Sequence, residues 1–437
     1  MFKRAATRTT SGSVSSAAVQ QRLFASSSSA RAASSLWAHL DVAPLDSNHA
    51  TNAAFEADQS PLKVNLGRGV YKDDNGKNWV LPSVRMAEEK IFAEKAGHDY
   101  LPFKGWDVFC KRTSEFAFGE TNPLLKDKRV ATVQAISGTG ALRVGAEFLS
   151  RFLPPTHKGV SVYVADPTYV NHLPIFKLNG FEIKRYRYYD PNTNGLDLKG
   201  FVEDLQNAPE GSVILLHACA HNPTGVDPSF EQWKLVSDAC KERRHVVFFD
   251  CAYQGFASGD IDRDGAAFRY FAQEGHQVLV AQSYAKNMGL YGQRVGALNI
   301  VTSDAKETEA VMSQLNQVIR PMYSNPPAYG ARIVGTILSD PTLRAQWQKD
   351  VKTMADRIIG SRQALVDNLE GLGSKKSWKH ITNQIGMFAY SGLTPPQVQT
   401  LRTLHVYMNL DGRMSVSGVN SHNVEYLAQA MHKATSQ

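Results

Sequence analysis

The side chains best suited to chemistry in this chain fall just after short apolar runs. Ser283-Tyr284-Ala285-Lys286 follows the run Val278 to Val280. A lysine in such a loop is a candidate nucleophile toward a carbonyl, provided its pKa is depressed. Arg294 follows in Gly292-Gln293-Arg294-Val295-Gly296, where flanking glycines allow the close backbone approach that a phosphate clamp requires. Asp250 ends the run Val246 to Phe249, with Tyr253 three residues on. An unpaired buried carboxylate is costly, so Asp250 needs a partner, and a cationic ring nitrogen would supply one. Ser137-Gly138-Thr139-Gly140 opens the helical stretch Ala141 to Phe148, and small residues at a helix N-terminus offer backbone N–H groups to a phosphate. That segment is neither a Walker A loop nor a GxGxxG fingerprint. Each feature also has a plainer reading: a solvated lysine, a carboxylate capping the next helix, a tight turn.

Two further run ends join these. His221-Asn222-Pro223-Thr224-Gly225 follows Val213 to Leu216 and presents Asn222 from a rigid turn. Asp166-Pro167-Thr168-Tyr169 follows Val160 to Val164, with His172 close behind. Tyr169 could stack on a ring; taken singly, it reads equally as a core aromatic and His172 as a satisfied core histidine. Together the residues make a phosphate cradle, a carboxylate for a ring nitrogen, a stacking aromatic and a lysine. That set meets the needs of pyridoxal 5'-phosphate, whose pyridine ring is an electron sink when its nitrogen is held protonated.

The elements that must position these groups are legible as well. From about residue 130, apolar runs alternate with longer amphipathic stretches, as in a parallel sheet covered by helices. In such α/β folds ligands bind at the carboxyl ends of the strands. Near the C-terminus, Val406 to Leu410 and Arg413 to Ser417 flank Asp411-Gly412, which predicts a hairpin. A long helical pattern around Asp356 to Leu369 precedes it. The expected architecture is a three-layer α/β/α large domain with a smaller α+β domain. The boundaries drawn are 1–30 for a leader, 31–76 for an N-terminal segment and part of the small domain, 77–353 for the large domain and 354–437 for the small domain.

Composition is that of a globular protein and excludes wholesale disorder, a collagen-like rod and a disulfide mini-protein: 437 residues, 43% hydrophobic and 20% charged. The four cysteines form no CxxC pair and no metal spacing, so no metal site is expected. No apolar run is long enough to span a bilayer. The net charge of +7 is concentrated at the N-terminus, where residues 1–40 hold Lys3, Arg4, Arg8, Arg22 and Arg31 and no acid. Removing these five from the 48 basic residues leaves 43 against 41 acids, which gives no nucleic-acid footprint. A basic, acid-free tail with serines at 26–29 reads as an organelle transit peptide, removed between Arg22 and Ser35. The expected location is the mitochondrial matrix.

The sequence resembles the class I aminotransferases of fold type I from about Asp41 to the C-terminus. The likeness is carried by Val64-Asn65-Leu66-Gly67, Tyr100-Leu101-Pro102, the Ser137, His221, Asp250 and Ser283 motifs above, and Arg320-Pro321-Met322-Tyr323-Ser324-Asn325-Pro326-Pro327. The resemblance implies that Lys286 holds the cofactor covalently and shuttles a proton, with Asp250 on the pyridinium nitrogen and His172 supporting it. Asn222 and Tyr253 would bond the ring oxygen, and Ala252 would pack under the ring. Ser137, Gly138, Thr139, Ser283 and Arg294 would hold the phosphate, joined by Tyr100 from a second subunit. For substrate it implies Arg413 on the α-carboxylate, Arg320 reaching across a homodimer to the distal carboxylate, and Gly69, Tyr169 and Asn222 nearby.

Two arginines for two carboxylates point to dicarboxylic amino and oxo acids. The implied reaction is L-aspartate plus 2-oxoglutarate to oxaloacetate plus L-glutamate, by a ping-pong course. Two positions depart from the family pattern: Tyr169 stands where tryptophan is usual, and Arg68 where a small apolar residue is usual. They leave room for an aromatic-amino-acid aminotransferase of the same class. An inactive, binding homologue is the other alternative, and intact Lys286, Asp250 and Arg413 argue against it.

Overall fold

A computed structural model describes residues 35–43, 47–157 and 159–436. The apolar runs form a seven-stranded sheet: β1 (Val130–Ile136), β2 (Val162–Asp166), β3 (Ile183–Arg187), β4 (Val213–His217), β5 (Val246–Cys251), β6 (Leu279–Ser283) and β7 (Val295–Val301). Their order is β1-β7-β6-β5-β4-β2-β3. Each expected run lies within or overlaps a strand. The sheet is mixed, however, because β7 is antiparallel to both neighbours. The link 284–294 between β6 and β7 is too short for the dozen or more residues that a parallel crossover needs, so the chain must return antiparallel.

Alternation along β5 shows how the three layers form. Val247 and Phe249 enter one apolar cluster with Trp233, Phe268 and Phe271, while Phe248 faces the opposite one. On that second face lies helix α1 (Ser137–Phe152), seated so closely that a Cβ on Gly145 would come within 2.5 Å of Phe248. Period-two side-chain direction in a strand buried on both faces requires this arrangement.

The expected hairpin near the C-terminus does not form. The turn itself is present: Gly412 takes φ +87° and its N–H donates to the Asn409 carbonyl at 3.0 Å. The flanking runs pair elsewhere. Val406–Tyr407 lies parallel to Val64–Asn65, and Arg413–Ser415 lies antiparallel to Phe388–Tyr390. The backbone of 64–66 takes up the bonding groups on one side, with Leu66 N–H donating to the Tyr407 carbonyl and Leu66 carbonyl accepting from Ser415 N–H. Local turn chemistry was read correctly, and long-range partners overrode the pairing.

The pattern expected around 356–369 belongs to one helix, α2 (Pro341–Gly371), which runs unbroken through the boundary drawn at 353/354. The described residues from 47 onward group as one compact unit. Within 35–43, Leu36, Trp37, Leu40 and Val42 are exposed. The expected leader at 1–30 lies outside the described residues. Among the described residues no helix is long and apolar enough to cross a membrane.

Candidate active site

The carboxyl ends of β1, β4, β5 and β6 meet at one edge of the sheet, and the antiparallel β7 brings its amino end to the same edge. They enclose a cavity of about 290 Å³. Into it come Ser137, Gly138 and Thr139 from the start of α1, then Asn222, Asp250, Ala252, Tyr253, Ser283, Lys286 and Arg294. Tyr169, Gly69 and Arg413 complete the expected set there.

One end is built for an anion. The Ser137 and Ser283 hydroxyls lie 3.1 Å apart at the α1 N-terminus, where backbone N–H groups are unsatisfied within the helix. Arg294 stands beside them, its Nη1 donating to the Tyr291 carbonyl at 3.1 Å. Ser137 and Arg294 both take left-handed backbone, φ 61° and 49°, a conformation that costs energy for non-glycine residues and clusters at functional sites. The cradle has no spare room: a Cβ on Gly296 would lie 2.4 Å from the Gln282 carbonyl and 2.7 Å from the Ser137 backbone.

The other end is built for a cation. Asp250 Oδ2 accepts from His172 Nε2 at 3.0 Å, and His172 Nδ1 meets Thr168 Oγ1 at 2.8 Å. The network therefore assigns the proton to Nε2, with the threonine hydroxyl donating to Nδ1. His172 is fully buried. Burial alone would push the Asp250 carboxyl up, but the hydrogen bond from His172, with the nearby His217 and Lys286, outweighs it and holds it below the ordinary carboxylate value. Asp250 thus stays ionised although buried. Burial, against the opposing pull of Asp250, lowers the Lys286 pKa, which favours the neutral amine a nucleophile needs. Its Nζ lies 5.3 Å from the Tyr253 ring centroid.

At the mouth, the Arg413 guanidinium lies 4.4 Å over the Phe388 ring, and Nη2 donates to the Gly67 carbonyl at 3.4 Å. A Cβ on Gly69 would touch Phe388 at 3.0 Å. The donor set therefore fits pyridoxal phosphate: hydroxyls, N–H groups and a guanidinium at one end, an ionised carboxylate at the other, an enclosed amine between.

Three expected residues, Tyr100, Arg320 and His172, do not line this cavity. Tyr100 is 86% exposed, and Arg320 is exposed over the Phe103 ring, 5.2 Å from its centroid. His172 stands behind Asp250 rather than on the wall. Sequence reasoning also missed several wall residues, among them His217, Asn52, Tyr291 and Phe388. His217 had a signal: it ends β4 as Asp250 nearly ends β5, one residue before Cys251, and the two are register partners. Its ring centroid is 5.1 Å from that of His172, and burial pulls its pKa down to about 3, so it is neutral. Asn52, on the helix Ser47–Ala57, carried no motif.

The family described as "Aminotransferase class I and II" matches residues 61–431. A Dictyostelium discoideum protein named mitochondrial aspartate aminotransferase is 51% identical over 400 residues, 91% of this chain and 93% of that protein. The chain belongs to the class I and II aminotransferases. Among solved structures, a mitochondrial aspartate aminotransferase from Trypanosoma brucei is similar at 47% identity and a TM-score of 0.85, covering 88% of this chain and all of that one. An aromatic-amino-acid aminotransferase from Burkholderia pseudomallei is similar at 41% identity and 0.89, covering 92% and 99%. Class I aminotransferases depend on pyridoxal phosphate, and the Burkholderia protein is described as covalently bound to it.

Proposed function

We propose that this aminotransferase converts L-aspartate and 2-oxoglutarate to oxaloacetate and L-glutamate with pyridoxal phosphate. The observation that carries the reading is one cavity holding an ionised Asp250, a lysine of lowered pKa and the Arg413 clamp. The names of the aspartate aminotransferases at about half identity support the substrate.

Pyridoxal phosphate, when bound, supplies an electron sink that acidifies the substrate Cα–H. Ser137, Ser283, the N–H groups of Gly138 and Thr139, and Arg294 would hold its phosphate. Asp250 would keep a proton on its ring nitrogen, with His172 fixing the carboxylate. Asn222 and Tyr253 would hydrogen-bond its ring oxygen, and Tyr169 and Ala252 would pack against its ring. Lys286 Nζ takes the Cα proton and returns it. Arg413 grips the α-carboxylate with two parallel hydrogen bonds, a task for which a planar guanidinium is pre-shaped. Residues 47–76 and 354–436 close over residues 77–353 to exclude water.

The working form is a homodimer. Tyr100 and Arg320, both outside this chain's cavity, serve the neighbouring one, on phosphate and on the distal carboxylate. The acid-free N-terminal tail directs the protein to the mitochondrial matrix.

The test is an absorbance titration of the purified holoprotein with L-aspartate and, separately, L-phenylalanine. Loss of the bound cofactor's visible band at low aspartate concentration supports the proposal. A band that answers only phenylalanine would replace it with an aromatic specificity, for which Tyr169 would then be the first residue to change.

A further inference from the structure

Four cationic side chains line the cavity, and the assignments above use three: Lys286, Arg294 and Arg413. Arg68 has no role in them. Its backbone is tied to the substrate clamp on both sides. Before it, the Gly67 N–H donates to Asn65 Oδ1 at 2.9 Å and the Gly67 carbonyl accepts from Arg413. After it, Gly69 packs on the Phe388 ring that lies under the Arg413 guanidinium. The Arg68 backbone is thus indexed to Arg413, and its long side chain is what can adjust.

That side chain stands on the wall between two cavities, lining both the active site and an adjacent space of about 230 Å³. Its ionic partner is Glu56 on the helix Ser47–Ala57, with Nη2 and Oε1 3.6 Å apart and the side chains 50% and 61% exposed. At that distance there is no hydrogen bond. A pair so open to water is weak, near zero to about 1 kcal/mol in general, and is easily exchanged for another carboxylate.

We infer that Arg68 is a specificity-determining residue, a second cation that joins the neighbouring subunit's Arg320 on the distal carboxylate of the dicarboxylic substrate, from the same subunit as the Arg413 clamp and in exchange for Glu56. This rests on the dicarboxylate reading proposed above. The guanidinium fork suits a carboxylate bidentately, and no covalent step is involved. Glu56 is then a competitor at the mouth: it parks Arg68 when the site is empty and opposes the substrate's second charge.

The test uses the full-length holoprotein with Arg68→Met, Arg68→Lys and Glu56→Gln. Calorimetry measures succinate against butyrate, ligands of equal length with two carboxylates and one. Kinetics measure the kcat/KM ratio of L-aspartate to L-alanine. Arg68→Met is expected to weaken succinate about fivefold relative to butyrate and to lower the ratio by as much, the size expected of one partly exposed ion pair. Arg68→Lys retains part of the effect, and Glu56→Gln shifts both readouts the other way by about twofold. Unchanged discrimination in Arg68→Met, or equal weakening of both ligands, overturns the inference while the dicarboxylate reading stands. A wild-type protein that itself fails to prefer succinate over butyrate overturns both.

Discussion

Asp250 and Asp58 each engage a histidine ring nitrogen, at 3.0 Å to His172 and 2.8 Å to His405; the carboxylates are similarly covered, 8% and 11% exposed, but His172 is fully buried and His405 is 42% exposed. Around Asp250 burial works against the charge, and the hydrogen bond from His172, with the nearby His217 and Lys286, overcomes it. Asp58 is brought down to about 2, chiefly by the Ser60 backbone N–H, with the Tyr407 hydroxyl and His405 assisting. The first arrangement keeps a carboxylate ionised where a cation is to be held. The second ties the chain after helix Ser47–Ala57 to the strand Val406–Tyr407. The same pairing of side chains thus holds a charge at the wall of a cavity in one place and ties two segments together in the other, according to what packs around it.

Four changes break or sharpen this comparison, in falling order of effect. Lys286→Ala removes the amine that Asp250 and the cavity prepare. Turnover should fall by about a thousandfold or more, while the phosphate cradle still binds the cofactor. Retained transamination, followed by coupled assay, would sink the assignment of Lys286. Asp250→Asn keeps the shape and removes the charge. Activity should drop by about two to three orders of magnitude, with the thermal midpoint of the cofactor-free protein moving by only about 3 °C. A large midpoint shift with intact activity would invert the contrast, making Asp250 the tie and not the catalytic group.

Arg320→Met asks whether a residue exposed in this chain gains its dry surroundings from a second subunit. Aspartate should lose about thirtyfold or more in kcat/KM, and phenylalanine far less. Equal losses would mean that Arg320 is not the distal clamp. Smallest is Asp58→Asn, expected to lower the midpoint by a few degrees at neutral pH and leave kcat within about twofold. Its pH dependence gives the sign. With the folded pKa near 2 against an ordinary 3.8, the tie contributes above about pH 4 and is lost as pH falls toward 2. The wild-type and variant melting curves should therefore converge across that window; a constant gap would place the stabilisation elsewhere.

The site was largely legible because its residues sit beside local patterns. Ser137 to Thr139, Asn222, Asp250, Ser283, Lys286 and Arg294 follow or flank apolar runs, and all of them line one cavity. His217 was passed over although it ends a run, since nothing in its own neighbours says that Asp250 lies beside it. Phe388 and Asn52 come from segments with no motif and reach the site only through packing. The C-terminal hairpin failed for the same reason. Asp411-Gly412 specifies a turn, but Val64–Asn65, more than 340 residues earlier, supplies the strand that Val406–Tyr407 prefers.

By itself, then, the sequence determined the alternating strand and helix pattern and placed the chemical groups at strand ends, because periodicity and turn residues act over a few neighbours. Only the tertiary structure decided which strand ends adjoin, that β7 returns antiparallel, that Arg68 stands beside the substrate clamp, and that Asp250 stays ionised while buried. Those outcomes depend on contacts between distant segments and on the water they exclude, and neither is encoded in a local window.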